Sequence, residues 1–312
     1  MSRYVARLVA DYQPVLRIDM RQQPEGGAPR IPAVEHWLAD RPVSQRELLV
    51  LVHGFNNHEQ EAIESYACTR RRQKSRITAP PLQQALDHML GDAFWPGDAK
   101  WKGKLDWADF LHYPAAIGTA CVVGRALADH LRGRSDVLTV HFLAHSLGCR
   151  VVLEAIRQFA LDGGPKVGKV CLMAAAVPTY MTCPGGDLYG ALTLPEALRV
   201  LFSPADEVLM TAFAPGQMLA GEGLLPTAVG RYGDIPLHTG VIERDHIAGA
   251  RHADYWGGSD NLASSLSEVS VAEFFRFDGL VTRSLRQRPM PPARPDLSRR
   301  EVATGGIDFS NG

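Results

Sequence analysis

The chain has no apolar run long enough to cross a bilayer, so the sequence offers no integral membrane segment. It has no excess of either charge: 33 Lys and Arg stand against 34 Asp and Glu, a formal net charge of −1. That balance gives no electrostatic reason to expect nucleic acid or an anionic membrane as a partner. Cysteine is scarce. Cys68, Cys121, Cys149, Cys171 and Cys183 are odd in number, scattered and without metal-ligand spacing, which fits reduced thiols packed mostly in the core and no metal centre. Residues 1–11 lack the uninterrupted apolar core and cleavage site of a secretory signal, so the expected location is the cytoplasm, with export by another route left open. What remains is an ordinary globular composition, 46% hydrophobic and 21% charged over 312 residues, which suits one α/β domain with terminal additions.

Two stretches carry the chemistry. Leu138 to Val152 reads as a buried strand, a sharp corner at Ser146 and a helix in which Val151, Val152, Ala155, Ile156 and Phe159 recur at helical spacing. Ala144 and Gly148 flank the corner two residues to either side, and a serine held on a tight strand-to-helix turn needs small neighbours there. The helix N-terminus points free N–H groups, including that of Leu147, at negative charge developing beside Ser146. Alone, the Ala-x-Ser-x-Gly pattern arises by chance in roughly one chain in ten of this length. Context strengthens it. About ninety residues upstream, Leu48–Val52 is a continuous apolar run of the kind found in parallel strands covered on both faces, and His53-Gly54-Phe55 follows at its carboxyl end. A glycine there lets the Phe55 N–H turn toward the serine as a second oxyanion donor.

With these motifs, V-H-G-F-N-N and A-H-S-L-G, residues 48–256 resemble the α/β-hydrolase superfamily, and within it a lipase-like, largely uncharacterised bacterial branch carrying His-Gly-aromatic-Asn and His-Ser-x-Gly. The resemblance implies a mostly parallel central sheet with helices on both faces, a small lid at most, and site-lining roles for His53, Gly54, His145 and Trp95 of the Trp-Pro at a strand end. It also implies the order serine, acid, histidine. Asp206, after the strand Leu198–Ser203, stands where the acid belongs, with Glu207 its nearest substitute. Eight of the eleven histidines precede Ser146, which leaves His238, His246 and His252. Arg251 to Trp256 resembles the His-x-Asp-Tyr-Trp ending of the same branch, so His252 is favoured. His145, adjacent to the serine, is expected to turn its side chain away from it.

The implied activity is hydrolysis of an ester, thioester or related acyl bond of a small molecule, without cofactor or metal. A non-catalytic scaffold that binds a ligand or partner, and an acyltransferase, are the alternatives. The sequence is silent on oligomeric state and acyl specificity.

Elsewhere, Tyr4–Val9 and Val15–Ile18 are expected as opening strands, Gln22–Pro32 as a loop and Val34–Leu38 as a helical turn. Helices are predicted over 59–72, 82–90, 115–131 and 264–277, and further strands at 169–175 and around 241–242. The basic run Arg70–Arg76 reads as a solvated helix end. Trp101, Trp107, Phe110 and Tyr113 either line an acyl pocket, form a flexible flap or cover core edges. Residues 1–285 are read as a single domain and 286–312 as a flexible tail.

Overall fold

Five adjacent aliphatic side chains cannot alternate between water and core, so Leu48–Val52 demands cover on both faces. The computed structural model, which describes residues 15–23, 27–38, 45–55, 57–97, 112–236 and 242–286, meets that demand. Every residue of β3 (Glu47–Val52) is buried, and the strand lies between β4 (Leu90–Phe94) and β5 (Thr139–His145) in the middle of an eight-stranded sheet. The sheet order is β2-β1-β4-β3-β5-β6-β7-β8, where β1 is Leu16–Arg21, β2 Pro29–Trp37, β6 Lys166–Met173, β7 Ala197–Phe202 and β8 Ile242–His246. All neighbours run parallel except β1 and β2.

Helices α3 (Tyr113–Arg132) and α4 (Gly148–Asp162) pack on each other and on the sheet. A second group comprises α1 (Glu59–Ser75), α2 (Pro80–Met89), α5 (Leu262–Phe275) and α6 (Phe277–Arg286), in which α1 meets α5 and α2 meets α6. Two excursions leave the carboxyl ends of the strands. The first, after β6, holds the short helices Thr179–Thr182 and Tyr189–Thr193; the second, after β7, holds Glu207–Thr211, Phe213–Leu219 and Val229–Tyr232. They are joined by an antiparallel bridge between Pro178 and Ala228 and by the Tyr180 hydroxyl, which donates to the Glu222 carbonyl at 2.9 Å.

Three local expectations change. The loop and helical turn expected within 22–38 are largely β2, an edge strand antiparallel to β1 whose residues stay partly or fully exposed. Pro29 and Pro32 disguise it in the sequence, yet an edge strand tolerates proline because one of its sides needs no ladder partner. The opening antiparallel pair is therefore β1 with β2, and Tyr4–Val9 lies outside the described residues. Nor is the basic run solvated throughout, although Arg71 and Arg76 are exposed. Arg70 is buried against Asp92 of β4, Lys74 meets Asp87 at 2.6 Å, and Arg72 and Arg76 reach Glu268 of α5 at 3.4 and 2.9 Å.

Candidate active site

The corner after β5 is sharp enough to force Ser146 to φ 53°, a left-handed conformation that costs a residue with a Cβ about 1–2 kcal/mol. Its neighbours hold it there: the Ser146 N–H donates to Met173 of β6 at 2.9 Å, and its carbonyl accepts from Cys149 and Ala176 at 3.0 and 3.2 Å. Small residues are required on both sides. A Cβ at Gly148 would press on the carbonyl oxygens of Val52 and His53, and one at Gly54 would stand 2.7 Å from the Ser146 Cβ. The ends of β3 and β5 therefore touch directly.

His252 arrives from the loop after β8, and its Nε2 lies 2.8 Å from Ser146 Oγ. Its Nδ1 lies 2.8 Å from Asp206 Oδ2. A carboxylate only accepts, so Nδ1 carries the proton and Nε2 is left to accept from the serine hydroxyl. Asp206 is fully buried at the N-cap of the helix Glu207–Thr211, where its other oxygen accepts from the Leu209 N–H at 3.0 Å. One oxygen thus anchors the side chain and the other faces the imidazole. Glu207 is exposed in the first turn of that helix, His246 is exposed and stacks on Phe202, and His238 lies outside the described residues.

The Phe55 and Leu147 N–H groups are spent on no backbone carbonyl among the described residues. The loop bearing Phe55 is held by a buried network. His53 Nδ1 donates to the Gly54 carbonyl at 2.9 Å, while His53 Nε2 accepts from the Trp95 N–H at 3.3 Å and meets Arg21 at the same distance. The Trp95 indole N–H returns to the His53 carbonyl at 2.8 Å, and the Tyr66 hydroxyl accepts the His53 N–H at 2.9 Å. Burial, reinforced by the Arg21 charge, pushes the His53 pKa well below its usual 6.5, so the ring is neutral. Only the tautomer with Nδ1–H satisfies both of its sides. Tyr113 is buried edge-on against Phe55, with ring centroids 5.3 Å apart; Trp101, Trp107 and Phe110 lie outside the described residues.

His145 makes no hydrogen bond to the Ser146 hydroxyl among the described residues, yet it stays at the site. Its ring packs 4.8 Å from that of His252, and its Nε2 lies 2.7 Å from the His252 carbonyl oxygen. No sequence signal marks a contact with a main-chain atom 107 residues away. Phe55, His145, His252 and Trp256, together with Glu64 and Cys68 of α1, line a groove of about 330 Å³. Ser146 keeps 5% exposure. Among the described residues no group of His, Cys, Asp and Glu side chains is arranged to hold a metal ion, and no helix is long and apolar enough to cross a membrane.

Residues 32–212 match the family described as an alpha/beta hydrolase of unknown function (DUF900). The chain belongs to this family. The segment of this DUF900 chain that matches includes Ser146 and Asp206 and ends before His252. No curated protein matches the sequence. Among solved structures, an esterase from Pyrobaculum calidifontis is similar at 13% identity and a TM-score of 0.44, covering 86% of this chain and 87% of its own. Carboxyl esterase 2 from Tuber melanosporum is similar at 11% identity and 0.42, covering 87% and 89%. Est1E from Butyrivibrio proteoclasticus, solved with ferulic acid, is similar at 14% identity and 0.33, covering 74% and 90%. Likenesses at this level leave the chemistry to be read from this chain's own side chains.

Proposed function

We propose that the protein is a serine hydrolase that cleaves a carboxylic ester, thioester or related acyl bond of a small molecule. The observation that carries this reading is the unbroken chain from Ser146 Oγ through His252 to the buried Asp206 carboxylate, each link 2.8 Å long; the Phe55 and Leu147 N–H groups, which donate to no backbone carbonyl among the described residues, support it. In this mechanism His252 takes the hydroxyl proton as Ser146 attacks the acyl carbonyl, and Asp206 stabilises the imidazolium so formed. The tetrahedral oxyanion is met by the N–H groups of Phe55 and Leu147, an interaction worth about 3–4 kcal/mol per donor in comparable sites. The His53 Nδ1–H, bonded to the Gly54 carbonyl, fixes the peptide plane to which the Phe55 N–H belongs. His252 then passes its proton to the leaving group, an acyl-serine remains, and water, activated by the same imidazole, releases the acid.

Turnover of short p-nitrophenyl esters by the wild type, lost in a folded Ser146→Ala variant, is the expected result. Undiminished turnover by that variant would remove Ser146 from the mechanism. A fluorophosphonate that labels the wild type and not Ser146→Ala separates an enzyme from a non-catalytic scaffold. Product analysis with added alcohols separates hydrolysis from acyl transfer.

A further inference from the structure

His145 is neither nucleophile nor base in the mechanism above, yet it occupies a place where a histidine is costly. It is 5% exposed, and burial together with the neighbouring His252 lowers its pKa to about 3, so it is neutral. A neutral imidazole carries one N–H, and here it lies on Nε2, the atom that donates to the His252 carbonyl at 2.7 Å. The other nitrogen, Nδ1, is buried without a hydrogen-bond partner among the described residues. A side chain chosen only to fill space would not desolvate two ring nitrogens and satisfy one.

The bond completes a set of restraints on His252. On the amino side, the Arg251 N–H donates to Asp254 Oδ2 at 2.9 Å, and Asp254 Oδ1 accepts from Asn261 at 2.9 Å. On the carboxyl side, Ser267 and Thr69 hydroxyls donate to the Tyr255 and Trp256 carbonyls at 3.0 and 3.1 Å. The His252 carbonyl itself is held by His145. These flanking bonds tie the loop to α5 and α1, whereas the His145 bond ties it to the end of β5. Residues 145 and 146 are consecutive, so the strand that presents the hydroxyl also holds the main chain of the residue that deprotonates it. The spacing between the two reacting groups then depends on one peptide unit and one hydrogen bond, not on the whole path through β8.

Resting on the serine hydrolase reading, we propose that His145 is a positioning residue that registers the His252 main chain to Ser146 through its Nε2–H. Proton transfer is sensitive to displacements of this kind, with about 1 Å enough to cost about a hundredfold in rate.

Two variants separate this role from core filling. His145→Phe keeps a ring and removes the donor; His145→Gln removes the ring and keeps an N–H at similar reach. The inference expects kcat to fall by about tenfold to a hundredfold in His145→Phe with KM within about twofold of wild type, and most of the loss to be recovered in His145→Gln. The rate of fluorophosphonate labelling at Ser146 follows the same order. A packing role gives the reverse, since the aromatic variant fills the site better than the amide. Circular dichroism and melting temperature check that each variant is folded; if His145→Phe is not, His145→Leu takes its place. Wild-type kcat in a folded donorless variant, or equal losses in the donorless and amide variants, overturns the inference. Turnover that survives Ser146→Ala overturns instead the reading on which it rests.

Discussion

Two histidines at the ends of adjacent central strands, His53 and His145, are buried in neutral form, and their titration sets a pH limit on the fold. Both have pKa values pushed below the usual 6.5, that of His145 to about 3, with burial as the main cause. In the unfolded chain each takes up a proton as pH falls through about 6.5, whereas the folded protein resists doing so. Stability is therefore complete above that pH and declines between about pH 6.5 and 3, by up to about 1.4 kcal/mol per pH unit for each group. Urea midpoints measured from pH 7.5 down to 5 are expected to fall in the wild type and to fall less steeply in His145→Gln. An equal slope in both proteins would show that His145 is not the titrating group. At this scale the sequence is informative where a role depends on neighbours in the chain. Ser146 between Ala144 and Gly148, and His53 before Gly54, can be picked out because the steric demands are local. Chain order after a strand end points to Asp206 and narrows the histidine to three, and only the resemblance of Arg251 to Trp256 to a His-x-Asp-Tyr-Trp ending favours His252 among them. The hydrogen bond from His145 to His252 has no such signature, since its acceptor is a carbonyl that every residue possesses.

Among the secondary-structure elements, the central strands β3 and β5 are legible in the sequence and the edge strand β2 is not. β3 and β5 announce themselves by apolar runs, because parallel strands under two helical layers have no polar face to show. β2, half-exposed and carrying two prolines, resembles a loop in sequence while pairing along its length with β1. Helix α1 is deceptive for a different reason. Its basic run looks solvated until Asp92 and Glu268, 22 and 196 residues from Arg70 and Arg72, are brought against it by the fold. Arg70 is the element's critical side chain, for it is buried on a fully buried Asp92. Truncating one partner of a buried pair leaves the other charge desolvated, so Arg70→Ala is expected to cost about 3 kcal/mol. Chemical denaturation would test this, and a loss under about 0.5 kcal/mol would return the run to the class of surface charges.

Across the whole molecule the two ends of the sheet carry different burdens. At the carboxyl ends lie Ser146, Asp206 and His252; at the amino ends, Glu47 of β3 is buried beside His141 of β5, 3.4 Å away, and accepts from Arg283 of α6 at 2.8 Å. The six residues of β3 separate these regions by about 20 Å, at roughly 3.3 Å per residue. Glu47→Ala is accordingly expected to lower unfolding free energy by about 2–4 kcal/mol while kcat stays within about twofold of wild type, as read by denaturant titration and initial rates at 25 °C. A large fall in kcat with stability intact would mean that the sheet transmits strain from one end to the other.

The order in which the strands enter the sheet also bears on how the protein is made. Its serine is translated 60 residues ahead of the carboxylate and 106 ahead of the imidazole, which follows the last strand. A growing polypeptide thus carries an inert alcohol until all eight described strands have been synthesised, and under the proposed chemistry its hydroxyl becomes reactive only as the fold around it is completed.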